Sequence, residues 1–519
     1  MQHRTGVVLA GFAGAIVAAC ATLVARPASP WDDVGTLQAR FAAGTLDARS
    51  LAQQALSRIA RLDEGADGLH AVVERNPDAL VIAGRLDEER AQGRVRGPLH
   101  GVPVLLKENI DTGDRMRTTA GSLALLDAPT PDDAFLVRRL RASGAVLLGK
   151  TNLSEWANFR STQATSGWSA RGGQTRNPHD PSRNPCGSSA GSAVAVAAGF
   201  VPLAVGTETN GSITCPASAN GVVGIKPTRG WVSRDGIVPI AASQDTAGPL
   251  ARSVADAALL LQAMSGPDPD DAATHDAGRF PDVTGVLATA TVDGARLGVL
   301  RDRTGFDDAT DRLFDDVLRR LRAAGAQLVD VEMPLPPTFG EDSYAVLLYE
   351  FREGVERYLR ERGAAITTLE GLIAFNRGHA QRELVHFGQE IFEQAARTGG
   401  LDDPAYRDAL ARSRAAARTA LDRLLVDAEL DALIAPTMAP AWRTDHARGD
   451  DYRGAGVSAA PAVAGYPHIS VPMGRVDDLP VGLSLIGAAW DDARLIGLAH
   501  AWEQLADLDP RPTLATVRE

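Results

Sequence analysis

The spacing of apolar positions changes character near Leu99. Before it, residues 31–95 carry Leu/Ala-rich stretches, such as 50–62, with no alternation, and predict helices. After it, short apolar runs of strand length alternate with amphipathic stretches. Residues 101–106 predict a buried strand, and 132–143 an amphipathic helix with acidic residues in its first turn and Gly144 at its C′ position. Residues 145–148 predict a second strand, leading into Gly149-Lys150-Thr151-Asn152. A helix over 193–199 follows a serine-rich loop, and a strand over 201–205 ends at Gly206-Thr207-Glu208. The Pro- and Asp-rich stretch 267–278 predicts a polar surface loop.

The alternation resumes with a strand over 296–300. Leu313, Phe314, Val317, Leu318 and Leu321 form one helical stripe that Gly325 stops, and 328–331 predicts another strand. A mostly helical region covers 343–426; strands over 432–435, 468–471 and 481–486 follow, and a helix over 491–505 closes the pattern. Such alternation predicts an α/β fold: a single large mixed, mostly parallel twisted sheet covered by helices on both faces. The region 343–426 reads as a helical insert or lid on that sheet. No stretch is long or polar enough to be a linker, so 29–519 reads as one domain.

Composition alters this picture only at the start of the chain. The 519 residues are 45% hydrophobic with a formal net charge of −12, which offers no basic patch for nucleic acid or an anionic membrane surface. Arg4 precedes an uncharged apolar stretch, 5–25, that Arg26-Pro27 closes, the pattern of an export signal over 1–28. Val17-Ala18-Ala19-Cys20 fits a lipobox that would lipidate Cys20; small Ala19 and Ala21 fit cleavage after Ala21; and the stretch is long enough to remain as an anchor. Each alternative places the protein in the periplasm or cell envelope, with membrane attachment only through its N-terminus. Cys186 and Cys215 read as small buried residues, although an exported location would permit a bond between them. The ten His are scattered and no Cys/His cluster has metal-ligand spacing, so neither metal nor cofactor is expected.

Candidate chemistry starts from the lysines. Only Lys107, Lys150 and Lys226 stand among 53 Lys and Arg residues. Arg stays charged in proteins, whereas a buried Lys sheds its proton at a usable pH, so the few lysines are where a base is sought. Lys150 and Lys226 read as structural hydrogen-bond donors. Lys107, which ends the apolar run from Gly101, reads as catalytic. Two glycine/serine segments follow, Cys186-Gly187-Ser188-Ser189-Ala190-Gly191-Ser192 and Gly206-Thr207-Glu208-Thr209-Asn210-Gly211-Ser212-Ile213. Glycines there let the backbone approach a ligand and expose its N–H groups.

Taken in order, Lys107-Glu108-Asn109, Gly187-Ser188-Ser189-Ala190-Gly191-Ser192 and Thr209-Asn210-Gly211-Ser212-Ile213 resemble the amidase signature family. Cys215-Pro216-Ala217, Gly224-Ile225-Lys226-Pro227-Thr228, Asp245-Thr246-Ala247-Gly248-Pro249 and Pro467-His468-Ile469-Ser470-Val471-Pro472 extend the similarity over most of the chain. Within the family the sequence is most similar to bacterial peptide amidases, which release ammonia from C-terminal peptide carboxamides. The segments 206–216 (Gly206 to Pro216) and 233–239 (Ser233 to Pro239), with Tyr349-Glu350-Phe351, carry that closer match. The resemblance implies the amidase signature fold and a triad: Lys107, Ser188 on an unusual cis peptide bond, and the nucleophile Ser212. The backbone N–H groups of Thr209, Asn210, Gly211 and Ser212 would form the oxyanion hole. The commoner family pattern has Gly in place of Asn210. Asn tolerates left-handed backbone, and its side chain is expected beside the substrate.

Three other readings compete. Gly187-Ser188-Ser189-Ala190-Gly191 is formally a nucleophile elbow, with Ser189 served by a downstream Asp and His468, but a proline-broken loop precedes it where a strand is required. The amidase component of a tRNA-dependent amidotransferase is opposed by the export pattern and by Asn210. A catalytically dead binding protein is opposed by the presence of all three triad residues. The expected reaction is hydrolysis of a carboxamide to acid and ammonia, on C-terminal peptide amides or alternatively on small aliphatic or aryl amides. A small leaving-group pocket at Ser212 and an open acyl channel beneath the helices around 349–392 are expected.

Overall fold

The computed structural model describes residues 27–278, 280–509, 511 and 512. Residues 1–26 of the export-signal pattern, Cys20 included, lie outside the described residues. Eleven strands form one sheet: β1 (Val72–Arg75), β2 (Pro103–Lys107), β3 (Val146–Thr151), β4 (Leu203–Glu208), β5 (Val223–Lys226), β6 (Thr246–Ala251), β7 (Arg296–Leu300), β8 (Gln327–Val331), β9 (Ala432–Pro436), β10 (His468–Val476) and β11 (Leu479–Ile486). Their order across the sheet is β1-β3-β2-β4-β6-β5-β10-β11-β9-β7-β8.

The apolar runs become central strands because both of their faces are covered. Val104, Leu106, Leu147, Leu203 and Val205 point into one core with Leu136 and Leu140 of the helix Phe135–Ala142. Their neighbours Leu105, Val146, Leu148 and Ala204 point into the other, against the helices Ala48–Leu62 and Ala190–Ala197. Successive strand residues thus alternate between two dry layers.

The sheet is mixed, as expected, but parallel pairing is the minority. β3-β2, β2-β4, β9-β7 and β7-β8 are parallel; the other six neighbour pairs are antiparallel. The helical crossovers that force parallel pairing occur only towards the two ends. In the middle, hairpin and return connections reverse the chain. β10 and β11, for instance, are joined through Asp477 and Asp478, both at positive φ, as a tight two-residue hairpin requires.

Other differences have local causes. β1 falls inside the stretch expected to be wholly helical; it is a four-residue edge strand, half-buried along most of its length, and so shows no alternation. β5 and β6 are interrupted by Gly224, Gly248 and Pro249, which hide their strand character. The helix expected from 132 starts at Phe135, so its acidic residues precede its first turn. The stretch 267–278 is a largely exposed loop, as expected, but it carries one short helical turn, and Asp268, Asp271 and Thr274 turn inward and are buried. Asp268 accepts from Ser233 Oγ at 2.5 Å, and Asp271 from Arg234 Nε at 2.9 Å. Among the described residues no helix is long and apolar enough to cross a membrane.

Between β8 and β9 the chain forms the helices Phe339–Glu361, Leu369–Gly378, Ala380–Glu383, Glu390–Ala395 and Pro404–Asp422. An aromatic cluster ties them to the rest of the fold. Phe351, fully buried, meets Phe159 at 5.1 Å and Phe392 at 5.2 Å between ring centroids, and Trp156 meets Phe392 edge-on at 5.6 Å. Truncating the ring at the centre of this cluster leaves a cavity under the site described below. Phe351→Ala is expected to lower unfolding free energy by about 3–5 kcal/mol in urea titrations. A loss below about 1 kcal/mol would mean that the helices do not depend on this contact.

Candidate active site

Lys107 is the last residue of β2, between parallel strands β3 and β4, and its side chain has no contact with solvent. Its Nζ donates to Ser188 Oγ at 2.8 Å, to Thr207 Oγ1 at 2.8 Å and to Thr207 O at 3.2 Å. Burial pushes the amine down to about 7, against the opposing pull of the Glu208 and Asp245 carboxylates. Asn109 Nδ2 donates to the same Thr207 hydroxyl at 3.0 Å. Lys150 and Lys226 are equally buried, but their amines donate to the Ile110 and Pro227 carbonyls, the structural role the sequence assigns them.

Ser188 lies in the turn before the helix Ala190–Ala197, and the Gly187–Ser188 peptide bond is cis, as the resemblance implies. The turn needs Gly187, because a Cβ there would stand 2.2 Å from Ser154 Oγ. Ser154 N donates to Ser188 O at 3.1 Å, and Ser189 N donates to Ser212 O at 3.1 Å, so the two serine segments lie side by side. The Ser189 hydroxyl is committed elsewhere: it donates to Thr207 O at 3.0 Å and accepts from Thr207 N at 3.2 Å. His468 pairs through Nε2 with Ser484 Oγ at 2.7 Å, and burial together with Lys226 holds its imidazole down to about 3. The elbow built on Ser189 and His468 is therefore not assembled.

Ser212 sits at the start of the helix Thr214–Asn220 and lines a cavity of about 390 Å³. Glu208 Oε2 accepts from Ile213 N at 2.7 Å and Thr214 N at 3.1 Å, satisfying amides at the helix start. Thr209 Oγ1 donates to Asp245 Oδ1 at 2.5 Å, while Asp245 Oδ2 accepts from Ile240 N and Ala241 N, both at 2.8 Å. Burial raises Asp245 to about 6. Thr209, Asn210, Gly211 and Ser212 all line the cavity. No hydrogen bond among the described residues uses the N–H of Asn210, Gly211 or Ser212. The left-handed residue of the turn is Gly211, at φ +80°; Asn210 is not left-handed, so the tolerance expected of it is not called on. Its Oδ1 accepts from Ser458 Oγ at 2.7 Å at the cavity wall.

Phe159, Ile240, Leu347, Tyr452 and Val457 supply the large side chains of the remaining wall. Tyr349, Glu350 and Phe351 do not line it. Tyr349 donates to Asp403 Oδ2 at 2.8 Å, Glu350 accepts from Ser243 N at 2.8 Å and Tyr406 OH at 2.7 Å, and Phe351 packs under Phe159. They fasten the long helix so that Leu347, one turn earlier, reaches the cavity. A second hollow, of about 490 Å³, shares Ala157, Thr209 and Ile240 with the first and reaches Asn109 and Thr207 on the lysine side.

Cys186 and Cys215, expected to be separate small residues, form a disulfide with α-carbons 6.0 Å apart. Two cysteines 29 positions apart carry no pairing signal in one sequence. Asn109, Thr207 and Asp245 stand inside the sequence motifs, where nothing gives them a role, and Ser458 lies in none of them. Among the described residues no group of three or more His, Cys, Asp or Glu is placed to hold a metal ion.

The Amidase family profile matches residues 51–496. A peptide amidase solved in complex with the competitive inhibitor chymostatin superposes with a TM-score of 0.90 at 52% identity, over 93% of this chain and 99% of its own. A probable amidase of Arabidopsis thaliana is 41% identical over 84% of this chain and 83% of its own. A putative amidase of Schizosaccharomyces pombe is 36% identical over 86% of this chain and 80% of its own. Chains of glutamyl-tRNA(Gln) amidotransferases are relatives too; that of Symbiobacterium thermophilum is 36% identical over 91% of this chain and 97% of its own. With the mixed sheet and the glycine/serine loops of that family in place, the chain belongs to the amidase signature family and is an amidase hydrolase.

Proposed function

We propose that the protein is a serine amidohydrolase in which Ser212 is the nucleophile, Ser188 the proton relay and Lys107 the base, and that its substrates are C-terminal peptide carboxamides. The observation that carries the mechanism is the 2.8 Å hydrogen bond from the buried Lys107 amine to Ser188, with the amine held down to about 7. A serine hydroxyl is a weak nucleophile at neutral pH and needs a base in reach. Neutral Lys107 takes the Ser188 proton as Ser188 takes that of Ser212, and Ser212 Oγ attacks the amide carbonyl. The N–H groups of 209–212 receive the developing oxyanion, usually the largest share of the rate enhancement. On collapse Ser188 protonates the leaving nitrogen and is itself reprotonated by Lys107. After ammonia leaves, water enters and the same relay hydrolyses the acyl-enzyme.

The substrate reading is supported by the 52% identity to a peptide amidase and by a largely apolar cavity wall beyond the nucleophile. Phe159, Ile240, Leu347 and Val457 suit a side chain next to the carboxamide, and the cavity volume of about 390 Å³ suits a residue or two rather than a folded partner. Export to the periplasm or cell envelope, with or without lipid on Cys20, belongs to the same proposal. The N-terminal pattern supports it, and so does a disulfide beside the active site, since such bonds persist in oxidising compartments.

Ser212→Ala is expected to abolish turnover, and Lys107→Ala and Ser188→Ala each to cost at least about 10³-fold in kcat, with double variants costing far less than the sum. Near wild-type turnover in Lys107→Ala would overturn the relay. Ser189→Ala should cost less than Ser212→Ala. Because Lys107 acts as a base when neutral and its amine is lowered to about 7, kcat/KM should fall as pH drops through about 7 and level off above it. An acidic limb near 4 would assign the base to a carboxylate. On peptide amides, mass spectrometry should show a gain of about one mass unit with internal peptide bonds intact. Rapid turnover of acetamide-like compounds with none of dipeptide amides would favour the small-amide alternative.

A further inference from the structure

The disulfide occupies a particular place. Cys186 stands two residues before Ser188, and Cys215 three residues after Ser212. The bond therefore joins the loop carrying the relay serine to the helix start carrying the nucleophile. Otherwise these segments are held together by few direct ties, chiefly Ser189 N to Ser212 O at 3.1 Å and Asn220 Nδ2 to Pro185 O at 2.8 Å. Residues 184–189 have no regular secondary structure of their own to fix Ser188. We propose that the Cys186–Cys215 disulfide is a positioning element for the reaction, holding Ser188 in register with Ser212, and that the enzyme works at full rate only with this bond formed. The proposal rests on the assignment of Ser188 and Ser212 above.

The bond is also reachable from one side. Cys186 has no exposed surface, whereas Cys215 is 6% exposed and lines the substrate cavity. A small thiolate entering that cavity attacks Cys215 Sγ, forms a mixed disulfide and expels Cys186 as a thiolate. A second thiol of the reductant then releases Cys215. Two electrons pass from the reductant dithiol, which becomes a disulfide, and the two cysteines end protonated. A small-molecule disulfide such as oxidised glutathione reverses both steps. The packing around the pair, Met438, Ala441 and Trp442, stays apolar in either state, so opening the bond loosens the loop without unfolding the core. Misplacing a reacting group by about 1 Å costs on the order of 10²-fold in rate, which sets the scale of the effect.

The test uses the full-length enzyme and an alkyl fluorophosphonate, which phosphonylates an activated serine with loss of fluoride and does not depend on the choice of amide substrate. Enzyme oxidised with glutathione disulfide should label at Ser212. The same enzyme held in dithiothreitol, and the C186A/C215A variant, should label at least about tenfold more slowly while keeping a native circular-dichroism spectrum. Returning the wild type to glutathione disulfide should restore its rate and leave the variant unchanged. On a peptide amide, reduction should lower kcat with KM changed less than about twofold. Equal labelling of the oxidised and reduced enzyme would overturn the proposal, as would slow labelling that tracks loss of the circular-dichroism signal. Failure of the oxidised enzyme to label at Ser212 would instead overturn the assignment of the nucleophile, and this proposal with it. Should the double variant fail to fold, the comparison of oxidised and reduced wild type decides.

Discussion

The site depends on one constraint: an amine kept dry at the end of a central strand. A charged ammonium is expensive to bury, and the fold meets that cost by letting the amine lose its proton near neutrality rather than by giving it a carboxylate partner. Its three acceptors, Ser188 Oγ, Thr207 Oγ1 and Thr207 O, are all uncharged. Thr207 comes from the strand next to Lys107, so the parallel pairing of β2 and β4 brings the acceptor within reach of the amine. Ser188 must then arrive from outside the sheet. Gly187 lets it do so, since a Cβ there would force Ser154 Oγ aside.

Much of this was legible in the chain itself. Buried strands such as 296–300, and the helix stopped by Gly325, declare themselves because one period dominates each of them. The candidate site residues stood out for a different reason: Lys107 is one of three lysines, and Ser188 and Ser212 stand in glycine/serine segments where Gly187 and Gly191 lie hard against neighbouring atoms. What stayed hidden was set by tertiary context. The edge strand β1 has only one partner strand and no dry face to impose alternation. The antiparallel middle of the sheet depends on connections such as the Asp477-Asp478 turn, whose residues read equally well as a polar loop. In the exposed acidic stretch 267–278 nothing marks Asp268 and Asp271 as the two that turn inward to Ser233 and Arg234.

Tyr349-Glu350-Phe351 shows how a residue can mark a site without entering it. These side chains resemble recognition residues in sequence, yet each is bound to scaffold: an Asp at a helix start, a loop amide, an aromatic stack. They bear on the cavity at one remove, through the placing of Leu347 and Phe159 in its wall. Motif similarity reports that a geometry is retained, and it does so whether or not the matching atoms meet the ligand.

Glu208 joins two properties that are usually adjusted separately. Its carboxylate binds the amides of Ile213 and Thr214, which fixes the turn that carries Ser212, and its charge opposes the fall in Lys107 basicity that burial causes. Any replacement at Glu208 that retunes the Lys107 amine also releases the turn, so the two cannot be adjusted independently through this residue. The apolar wall formed by Phe159, Ile240, Leu347 and Val457 carries no such double duty. Substitutions in that wall can reshape what fits the cavity without touching either the turn or the Lys107 amine, so divergence among relatives should reach the wall more readily than Glu208.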